Sequence, residues 1–438
     1  MPAPASPTFP GQGRPALDPG AGTGEEGPGP GLPATPVAGG EAGPPGPAGE
    51  PAWTEEDRRW MRRALALAAR ARGRTSPNPM VGAVLVRDGR IVGEGYHRRA
   101  GAPHAEVEAL RLAGSRARGA TLYVTLEPCS HYGRTPPCTA ALIQAGVRKV
   151  VAAMLDPDPR VRGRGLAALR AAGIEVAAGL GEGEARRLNE AYIVHRLLGR
   201  PMVTLKYAMT LDGRIATASG DARWVTGERA RRFVHRLRDA VDAIAVGVGT
   251  VLADDPLLTT RLPRGGRDPI RIVLDSLART PPSARVVRVA RSSPAPTWIA
   301  VTPAAPQERL QALRAAGAEI LRLPAGPDGR VHLPALLAEL ARRGVLHLLV
   351  EGGAAVHGAF FSAGLADRVL AFVAPKIVGG TRAPGPVGGE GAARMAGAVA
   401  LTGVACRRVG EDWLISGYLR DPARFLLAPG READGRPG

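Results

Sequence analysis

The segments His104-Ala105-Glu106 and Pro128-Cys129, with Cys138 further along, constrain the fold of this chain more than any other feature of its sequence. One imidazole and two thiolates are ligands that zinc prefers, and three protein ligands leave a fourth position open for water. If these side chains hold one ion, segments that are distant in sequence must meet in space. Glu106 is not needed as a ligand and is a residue type that transfers protons. The pattern therefore predicts a domain built around a catalytic zinc site.

The spacing of the two cysteines departs from the usual pattern of zinc enzymes that deaminate nucleobases. That pattern is H-x-E followed by P-C-x-x-C, whereas here residues 130–137 separate the cysteines. The wider loop must fold back to bring both sulfurs to one metal, and Gly133 and Pro136-Pro137 suit such a turn. Two alternatives stay open: buried cysteines beside a helix-capping histidine, and a structural zinc closed by His131. Glu106 argues against a closed site, where it would have no role.

Composition and charge limit the classes of protein to which this chain can belong. The 438 residues allow two or three domains, and arginine supplies nearly all of the formal charge of +18. Such a charge suits nucleic acid or small phosphorylated ligands, which guanidinium groups bind in bidentate fashion. No apolar run approaches a membrane span, the first 50 residues lack the blocks of a signal peptide, and Cys406 is the only cysteine outside the candidate site. We therefore expect a soluble, cytoplasmic protein.

A proline-rich loop near the start of the ordered chain is a candidate for ligand recognition. The prolines of Ser76-Pro77-Asn78-Pro79 exclude regular structure, and Asp88-Gly89 shortly after it predicts the turn of a β-hairpin. Asn78 on such a rigid loop could read the edge of a heterocycle, although a role as a turn residue alone is equally open. His104 and Glu106 can share one site only if His104 lies at the start of a helix.

Strands and helices alternate along both halves of the chain, which predicts an α/β architecture. Predicted strands at 121–126 and 147–154 alternate with helices and imply a three-layer domain, and further strands between 202 and 351 imply a second, mostly parallel sheet. Glu351-Gly352-Gly353 ends the last of these strands, where paired glycines would let backbone N–H groups approach a pyrophosphate. A tight turn without a ligand is at least as common, and no G-x-G-x-x-G motif follows a strand.

Five motifs of the first half resemble the deaminase half of the bifunctional riboflavin-biosynthesis deaminase/reductase family. They are residues 76–83, 95–97, 104–106, 125–131 and 133–138. That family carries the wide cysteine spacing seen here. The resemblance implies a cytidine-deaminase-like three-layer α/β/α domain, with His104, Cys129 and Cys138 as zinc ligands and Glu106 as the proton donor. Asn78 is then expected to contact the substrate.

Residues 206–216, 249–261 and 350–353 resemble the reductase half of the same family, which implies an α/β domain similar to dihydrofolate reductase with NADPH as its cofactor. The residues expected along the cofactor are Ala208, Trp224, Thr250, Asp254, Ser276, Gly352 and Gly353. Those expected to face the substrate are Arg238, Leu258, Arg261 and Glu351, of which the arginines suit a phosphate. If each residue is considered by itself, a structural explanation stays open: Arg238 could be a charge on a helix surface, and Asp254 could cap a turn. Ala222 stands where the family has a serine, which puts one substrate contact in doubt.

The resemblance implies two successive reactions of riboflavin biosynthesis. The first is zinc-dependent deamination of 2,5-diamino-6-(ribosylamino)pyrimidin-4-one 5'-phosphate, and the second is NADPH-dependent reduction of its ribosyl chain to the ribitylaminouracil 5'-phosphate. We expect the deaminase domain at residues 53–198 and the reductase domain at 199–422, with a disordered Pro/Gly-rich tail at 1–52 and a flexible tail at 423–438. The expected partners are this phosphorylated pyrimidine and further copies of the chain, and neither nucleic acid nor a membrane.

Two other classes of function stay open from the residues alone. A tRNA or DNA base deaminase with a basic accessory domain would account for the charge and for the H-x-E chemistry. It would give no role to Asp254, Arg261 or Glu351. A zinc-stabilised binding protein without turnover would bind no NADPH.

Overall fold

The computed structural model describes residues 53–131 and 136–422 of the chain. The two predicted tails, residues 1–52 and 423–438, lie outside the described residues, as does the predicted turn residue Gly133. Within the described residues, no helix is both long and apolar enough to cross a membrane. The strands of this part of the chain form two sheets, one in each half of the sequence.

The first sheet has the strand order β2-β1-β3-β4-β5 and joins an antiparallel hairpin to parallel strands. Its strands are β1 Gly82–Arg87, β2 Arg90–Tyr96, β3 Thr121–Val124, β4 Lys149–Ala152 and β5 Glu175–Ala178. The helices of this half are α1 Glu55–Ala69, α2 Ala105–Ala113, α3 Cys138–Gln144, α4 Arg164–Ala171, α5 Glu182–Leu188 and α6 Glu190–Leu198, with a 3-10 helix at Gly114–Ala117. Helices α5 and α6 have no counterpart among the predicted elements.

Local sequence signals account for the first helix and the hairpin. The Asp57 N–H donates to the Thr54 hydroxyl at 3.0 Å, and the Thr54 N–H donates to the Asp57 carboxylate at 2.9 Å. Such a cap stabilises a helix start by about 1 kcal/mol. Between β1 and β2, Asp88 and Gly89 have φ values of 51° and 68°, as a two-residue hairpin turn requires. The predicted hairpin is confirmed.

The second sheet has the order β10-β9-β8-β7-β11-β6-β12-β14-β13. Its strands are β6 Met202–Thr210, β7 Ala243–Gly247, β8 Ile270–Leu274, β9 Thr297–Val301, β10 Glu319–Arg322, β11 His347–Val350, β12 Arg368–Ala374, β13 Thr402–Val409 and β14 Asp412–Tyr418. Its helices are α7 Glu228–Ala240, α8 Val248–Asp254, α9 Arg285–Arg288, α10 Gln307–Ala315, α11 Leu333–Arg342 and α12 Ala354–Ser362, with 3-10 helices at Val289–Arg291 and Met395–Gly397. The strands from β10 to β12 run parallel, which confirms the predicted mostly parallel sheet, and β13 and β14 add an unpredicted antiparallel edge.

Buried polar contacts join α5 and α6 to the second sheet. Glu190, the first residue of α6, accepts hydrogen bonds from Tyr418 at 2.7 Å and from Arg368 at 3.1 Å. Nearby, Arg187 donates two hydrogen bonds to the Asp421 carboxylate, at 2.7 and 2.8 Å. Charge-assisted and bidentate pairs of this kind are directional, so they fix the α5–α6 segment against β12 and β14.

Candidate active sites

Three candidate metal ligands meet where two helices begin, close to the end of β3. His104 immediately precedes α2 and Cys138 is the first residue of α3, while Cys129 follows β3 by a few residues. His104 Nδ1 lies 3.2 Å from Cys138 Sγ and 3.6 Å from Cys129 Sγ. The three ligand atoms all lie within 4.8 Å of one another. The structure therefore brings the three predicted ligands together at one point.

The donor set and its spacing fit zinc. Tetrahedral zinc, with bonds of about 2.0–2.3 Å to nitrogen and sulfur, holds its ligand atoms about 3.3–3.8 Å apart. A hydrogen bond from the Cys138 thiol lowers the pKa of Cys129 to about 4, and the pKa of Cys138 rises in return. Hydrogen bonding to Cys129 raises the pKa of His104. One sulfur is thus anionic and ready to bind a cation, while His131 is exposed and does not belong to the ligand group of the described residues.

Glu106 lines a cavity of about 920 Å³ together with two of the ligands, His104 and Cys129. The Glu106 side chain is buried, with a relative exposure of 4%, and burial raises its pKa. His104 precedes the helix whereas Glu106 lies in its first turn, so both side chains reach the cavity although they are two residues apart. This confirms the predicted helix start at His104. The cavity thereby combines metal ligands with a group that can carry a proton.

Asn78 lines the same cavity and is held by His97. Asn78 Nδ2 lies 3.1 Å from His97 Nε2, and His97 Nδ1 lies 3.1 Å from the carbonyl oxygen of Pro103. A carbonyl oxygen only accepts, so His97 Nδ1 carries the proton and Nε2 accepts from the Asn78 amide. Burial lowers the pKa of His97, which favours this neutral ring. In the described structure the Asn78 side chain is hydrogen-bonded only through its amide nitrogen, so its amide oxygen is available to a ligand.

Glu127 organises the loop that forms another wall of the cavity. Its buried carboxylate accepts hydrogen bonds from four backbone N–H groups, those of Asp156, Gly163, Gly165 and Leu166. Gly165 approaches the turn before Cys129 so closely that an added Cβ would lie 2.0 Å from the Pro128 carbonyl oxygen. Glu127 therefore holds residues 156–166 against the metal site, and this loop brings Arg160 and Arg164 to the cavity.

The residues expected along a cofactor lie mainly at one edge of the second sheet. Thr250, Ser276 and Gly352 follow the carboxyl ends of β7, β8 and β11, which are adjacent parallel strands. In open α/β sheets, ligands bind outside this edge. A Cβ on Gly352 would lie 2.8 Å from the Val246 side chain and 3.1 Å from Thr250 Oγ1. Glycine at position 352 thus permits a close approach of the backbone to β7 and α8 before α12, and the predicted contact of the paired glycines with a pyrophosphate stays a prediction.

Strand pairing and hydrogen bonds connect three other expected cofactor residues, Ala208, Trp224 and Asp254, to the same region. Ala208 lies on β6 opposite Phe372 of β12. Trp224 is 63% exposed, and its carbonyl oxygen accepts a hydrogen bond from Lys376 at 2.7 Å. Arg223, next to it, donates to the Asp254 carbonyl oxygen at 2.6 Å. The segment with Trp224 is thereby connected to the end of α8.

A buried charge cluster lies at the end of β11. Arg238 of α7 donates two hydrogen bonds to the Glu351 carboxylate, each at 2.8 Å, and Lys206 Nζ lies 3.7 Å from the same carboxylate. Burial opposes ionisation of Glu351, but the charges of Arg238 and Lys206 outweigh it and hold the pKa at about 2. Burial lowers the pKa of Lys206. Two cations thus share one carboxylate in this cluster.

Arg261 and His235 extend this cluster toward the loop after α8. The Arg261 N–H donates to His235 Nδ1 at 3.2 Å, and the Arg261 guanidinium donates to the Thr259 hydroxyl at 3.1 Å. Burial, followed by the charges of Arg238 and Arg261, lowers the pKa of His235 to about 4. The cluster therefore carries surplus positive charge, which suits a phosphate. Leu258, expected to face the substrate, is only 3% exposed and has a φ of 55°.

Four residues of these clusters were absent from the predicted sites: His97, Glu127, Lys206 and His235. His97 and Glu127 lie inside the motifs that carry the resemblance, near the predicted metal ligands in sequence. That position could have identified them as residues of the site. Lys206 follows the apolar residues 202–205 and lies within β6, and a buried charge at such a position needs a partner. His235 is three residues before Arg238 and shares its helix face.

Comparison with known proteins matches the two halves of the chain to two different family models. The model for the cytidine and deoxycytidylate deaminase zinc-binding region matches residues 54–154, and the model for the RibD C-terminal domain matches residues 201–415. The chain is 46% identical to the riboflavin biosynthesis protein RibD of Aquifex aeolicus over 74% of its own length and 88% of that protein. For RibD of Escherichia coli K12 the identity is 47%, over 74% of this chain and 89% of the relative.

Solved structures give the same result for the fold. The structure of Acinetobacter baumannii RibD, form 1, superposes with a TM-score of 0.74 at 38% identity, over 83% of this chain and 99% of that one. A Thermotoga maritima protein named as a diaminohydroxyphosphoribosylaminopyrimidine deaminase/5-amino-6-(5-phosphoribosylamino)uracil reductase gives a TM-score of 0.72 at 36% identity, over 83% and 98% of the two chains.

Proposed function

The chain belongs to the RibD family of riboflavin biosynthesis proteins, and on that basis we propose the substrates and residues through which its deaminase and reductase act. Residues 53–198 form the deaminase domain and remove the amino group of a diaminohydroxyphosphoribosylaminopyrimidine. Residues 199–422 form the reductase domain and reduce the ribosyl chain of the resulting 5-amino-6-(5-phosphoribosylamino)uracil. The family-model matches at 54–154 and 201–415 support this division.

The observation that carries the deaminase assignment is the meeting of His104, Cys129 and Cys138 beside a cavity that Glu106 and Asn78 line. When bound by the three ligands, zinc would supply Lewis acidity and lower the pKa of a coordinated water. Glu106 holds and moves the proton in this cavity: its carboxylate accepts a proton from the attacking water and gives it to the amino group, which leaves as ammonia. The Asn78 amide oxygen accepts a hydrogen bond from the pyrimidine and orients its ring beside Glu106.

In the reductase domain, NADPH, when bound, would supply a hydride to C1 of the ribose, while the ring C1–O bond breaks and its oxygen takes up a proton. Thr250, Gly352 and Gly353 would lie along its phosphates, supported by their position beyond the carboxyl ends of parallel strands. Arg261 binds the substrate phosphate, because its guanidinium has only a neutral hydroxyl among its hydrogen-bond partners in the described structure. Arg238 instead holds Glu351, with which it forms a bidentate pair.

Lys206 is the candidate proton donor for the sugar oxygen. It is a buried ammonium whose pKa is lowered by burial, and it lies beside Glu351 on the strand next to β11. An ammonium with a lowered pKa gives up its proton more readily than an exposed one. The expected result of Lys206→Met is loss of NADPH oxidation with deamination retained.

The protein acts in the cytoplasm as a homo-oligomer and needs no nucleic acid. Reduced, metal-binding cysteines suit a reducing compartment, and cell fractionation tests this location. Strand β13 is an edge of the second sheet, and Val404 on it is 58% exposed. Trp413 on the neighbouring strand β14 is 49% exposed. Exposed apolar edge strands pair with other chains, so Val404→Lys should convert the oligomer to monomers in light scattering.

Mass spectrometry of the products tests the two reactions together. The zinc-loaded protein is incubated with the diaminopyrimidine ribosyl-phosphate, with and without NADPH. Deaminated uracil alone should form without NADPH, and its ribityl product should form with NADPH. The variant Cys138→Ala should lose zinc and deamination, whereas Cys406→Ala, at an exposed free thiol, should retain both. Absence of both products in a protein that binds zinc and NADPH would mean that the substrate is misassigned.

A further inference from the structure

The Asn189 side chain binds a backbone segment of the deaminase cavity from more than a hundred residues away. It lies between α5 and α6 and is 2% exposed. Its amide oxygen accepts a hydrogen bond from the Met80 N–H at 2.8 Å, and its amide nitrogen donates to the Met80 carbonyl oxygen at 3.0 Å. One side chain thus satisfies both backbone groups of Met80, as a neighbouring β-strand would.

Met80 ends the loop that carries Asn78. At the other side of this loop, Asn78 donates to His97 Nε2, and His97 donates through Nδ1 to the carbonyl oxygen of Pro103, the residue before the metal ligand His104. The loop is therefore held at two points, through the backbone of Met80 and through the side chain of Asn78. With both points fixed, the side chain of Asn78, which lines the cavity, is held in one orientation.

We propose that Asn189 is a positioning residue for deamination, which acts by holding the Asn78 loop in register with the pyrimidine ring. The proposal rests on the proposed deaminase function. The ligand that suits this arrangement is an aminopyrimidine, because its N–H group can donate a hydrogen bond to the Asn78 oxygen. A displacement of about 1 Å in such a group is enough to weaken binding or misalign the reacting atoms.

The support for Asn189 comes from the second half of the chain. Its neighbour Glu190 accepts hydrogen bonds from Tyr418 at 2.7 Å and from Arg368 at 3.1 Å, and these residues lie on β14 and β12. The junction of α5 and α6 is therefore anchored on the second sheet. Through Asn189, that sheet contributes to the geometry of the deaminase cavity although it supplies no group to the chemistry there.

A double-mutant cycle in the full-length, zinc-loaded protein tests the proposal. Asn189→Ala removes both hydrogen bonds to Met80, and we expect the KM for deamination to rise about tenfold with a smaller change in kcat. Zinc content and the reduction of separately supplied deaminated substrate should stay unchanged. In an Asn78→Ala background, Asn189→Ala should have little further effect on KM, because the group that it positions is already gone.

Controls separate positioning from loss of stability. Tyr123→Phe removes one hydrogen bond to Asp57 on α1 at a residue that does not line the cavity, and should leave KM unchanged. Asn189→Asp retains the acceptor for the Met80 N–H but sets a second oxygen against the Met80 carbonyl oxygen, so its KM should rise at least as far as that of Asn189→Ala; it replaces Asn189→Ala if that variant is insoluble. Additive effects of Asn78→Ala and Asn189→Ala, or loss of zinc in Asn189→Ala, would overturn the proposal. Absence of deamination in the parent protein would instead refute the proposed function.

Discussion

Replacing Glu127 by glutamine should loosen the loop that walls the deaminase cavity. In the structure, one carboxylate oxygen accepts from the Asp156 and Gly163 N–H groups at 3.1 and 2.9 Å. The other accepts from Gly165 and Leu166 at 2.8 and 3.3 Å. Glutamine has one oxygen that can keep two of these donors, while its NH₂ group meets the other two N–H groups and cannot accept from them.

The size of the effect follows from the hydrogen bonds that are lost. A hydrogen bond to a charged group contributes about 1.5–3 kcal/mol, so the loss of two gives about 3–6 kcal/mol. Glu127 is 3% exposed, so water replaces the missing acceptor only if the loop moves. Because the loop can relax in this way, we expect a loss of stability at the lower end of this range, about 3 kcal/mol. The free energy of opening residues 156–166 should fall by that amount.

Hydrogen exchange of the loop amides measures this change directly. A loss of about 3 kcal/mol corresponds to exchange about a hundredfold faster at Gly163 and Gly165. Deamination should weaken while reduction of supplied deaminated substrate continues. The control Glu228→Gln breaks a surface pair with Arg232 and should change stability by less than about 1 kcal/mol. Unchanged exchange at both glycines, with full deaminase turnover, would refute the reasoning about Glu127.

Three further predictions concern single side chains. Glu106→Gln should lower deaminase kcat by about 10²–10⁴ at unchanged zinc content; normal ammonia release would remove Glu106 from proton transfer. Arg261→Ala should raise the KM of the phosphorylated reductase substrate about tenfold, but not that of its dephosphorylated form, and an equal loss for both contradicts a phosphate contact. The pKa of His235 is lowered from 6.5 to about 4. Between pH 6.5 and pH 4 the unfolded chain therefore binds more protons than the folded one, so the free energy of unfolding falls as the pH drops through this range. His235→Gln should flatten this slope in thermal melts at pH 7 and 4.5, and an unchanged slope would contradict the assignment.

The strands and the starts of the helices were the most predictable features. The hairpin at Asp88-Gly89 follows from residues that tolerate positive φ, and the parallel core of the second sheet follows from apolar runs that alternate with helices. The helix start at His104 followed from the condition that it share a site with Glu106. Helices α5 and α6 and the strands β12 to β14 were not predicted, because they are held by contacts with each other, such as Glu190 with Tyr418 and Arg368, and not by a local motif.

The sequence by itself determined the chemistry that the chain can perform. The residue types at 104, 106, 129 and 138 give zinc ligands and an acid–base group, and the spacing of the first two requires a helix start at His104 if they share one site. Motif order along the chain was enough to indicate two successive activities. None of this required knowledge of which surfaces pack together.

Only the tertiary structure decided how these groups are held. Three sets of contacts join segments that are far apart in sequence. Asn189 binds Met80, Glu127 binds the loop at 156–166, and Lys206 and Arg238 both bind Glu351. A hydrogen bond forms only when donor and acceptor come within about 3 Å in the right direction. No local pattern specifies which distant backbone group meets a given side chain, because that depends on how both sheets and their helices pack.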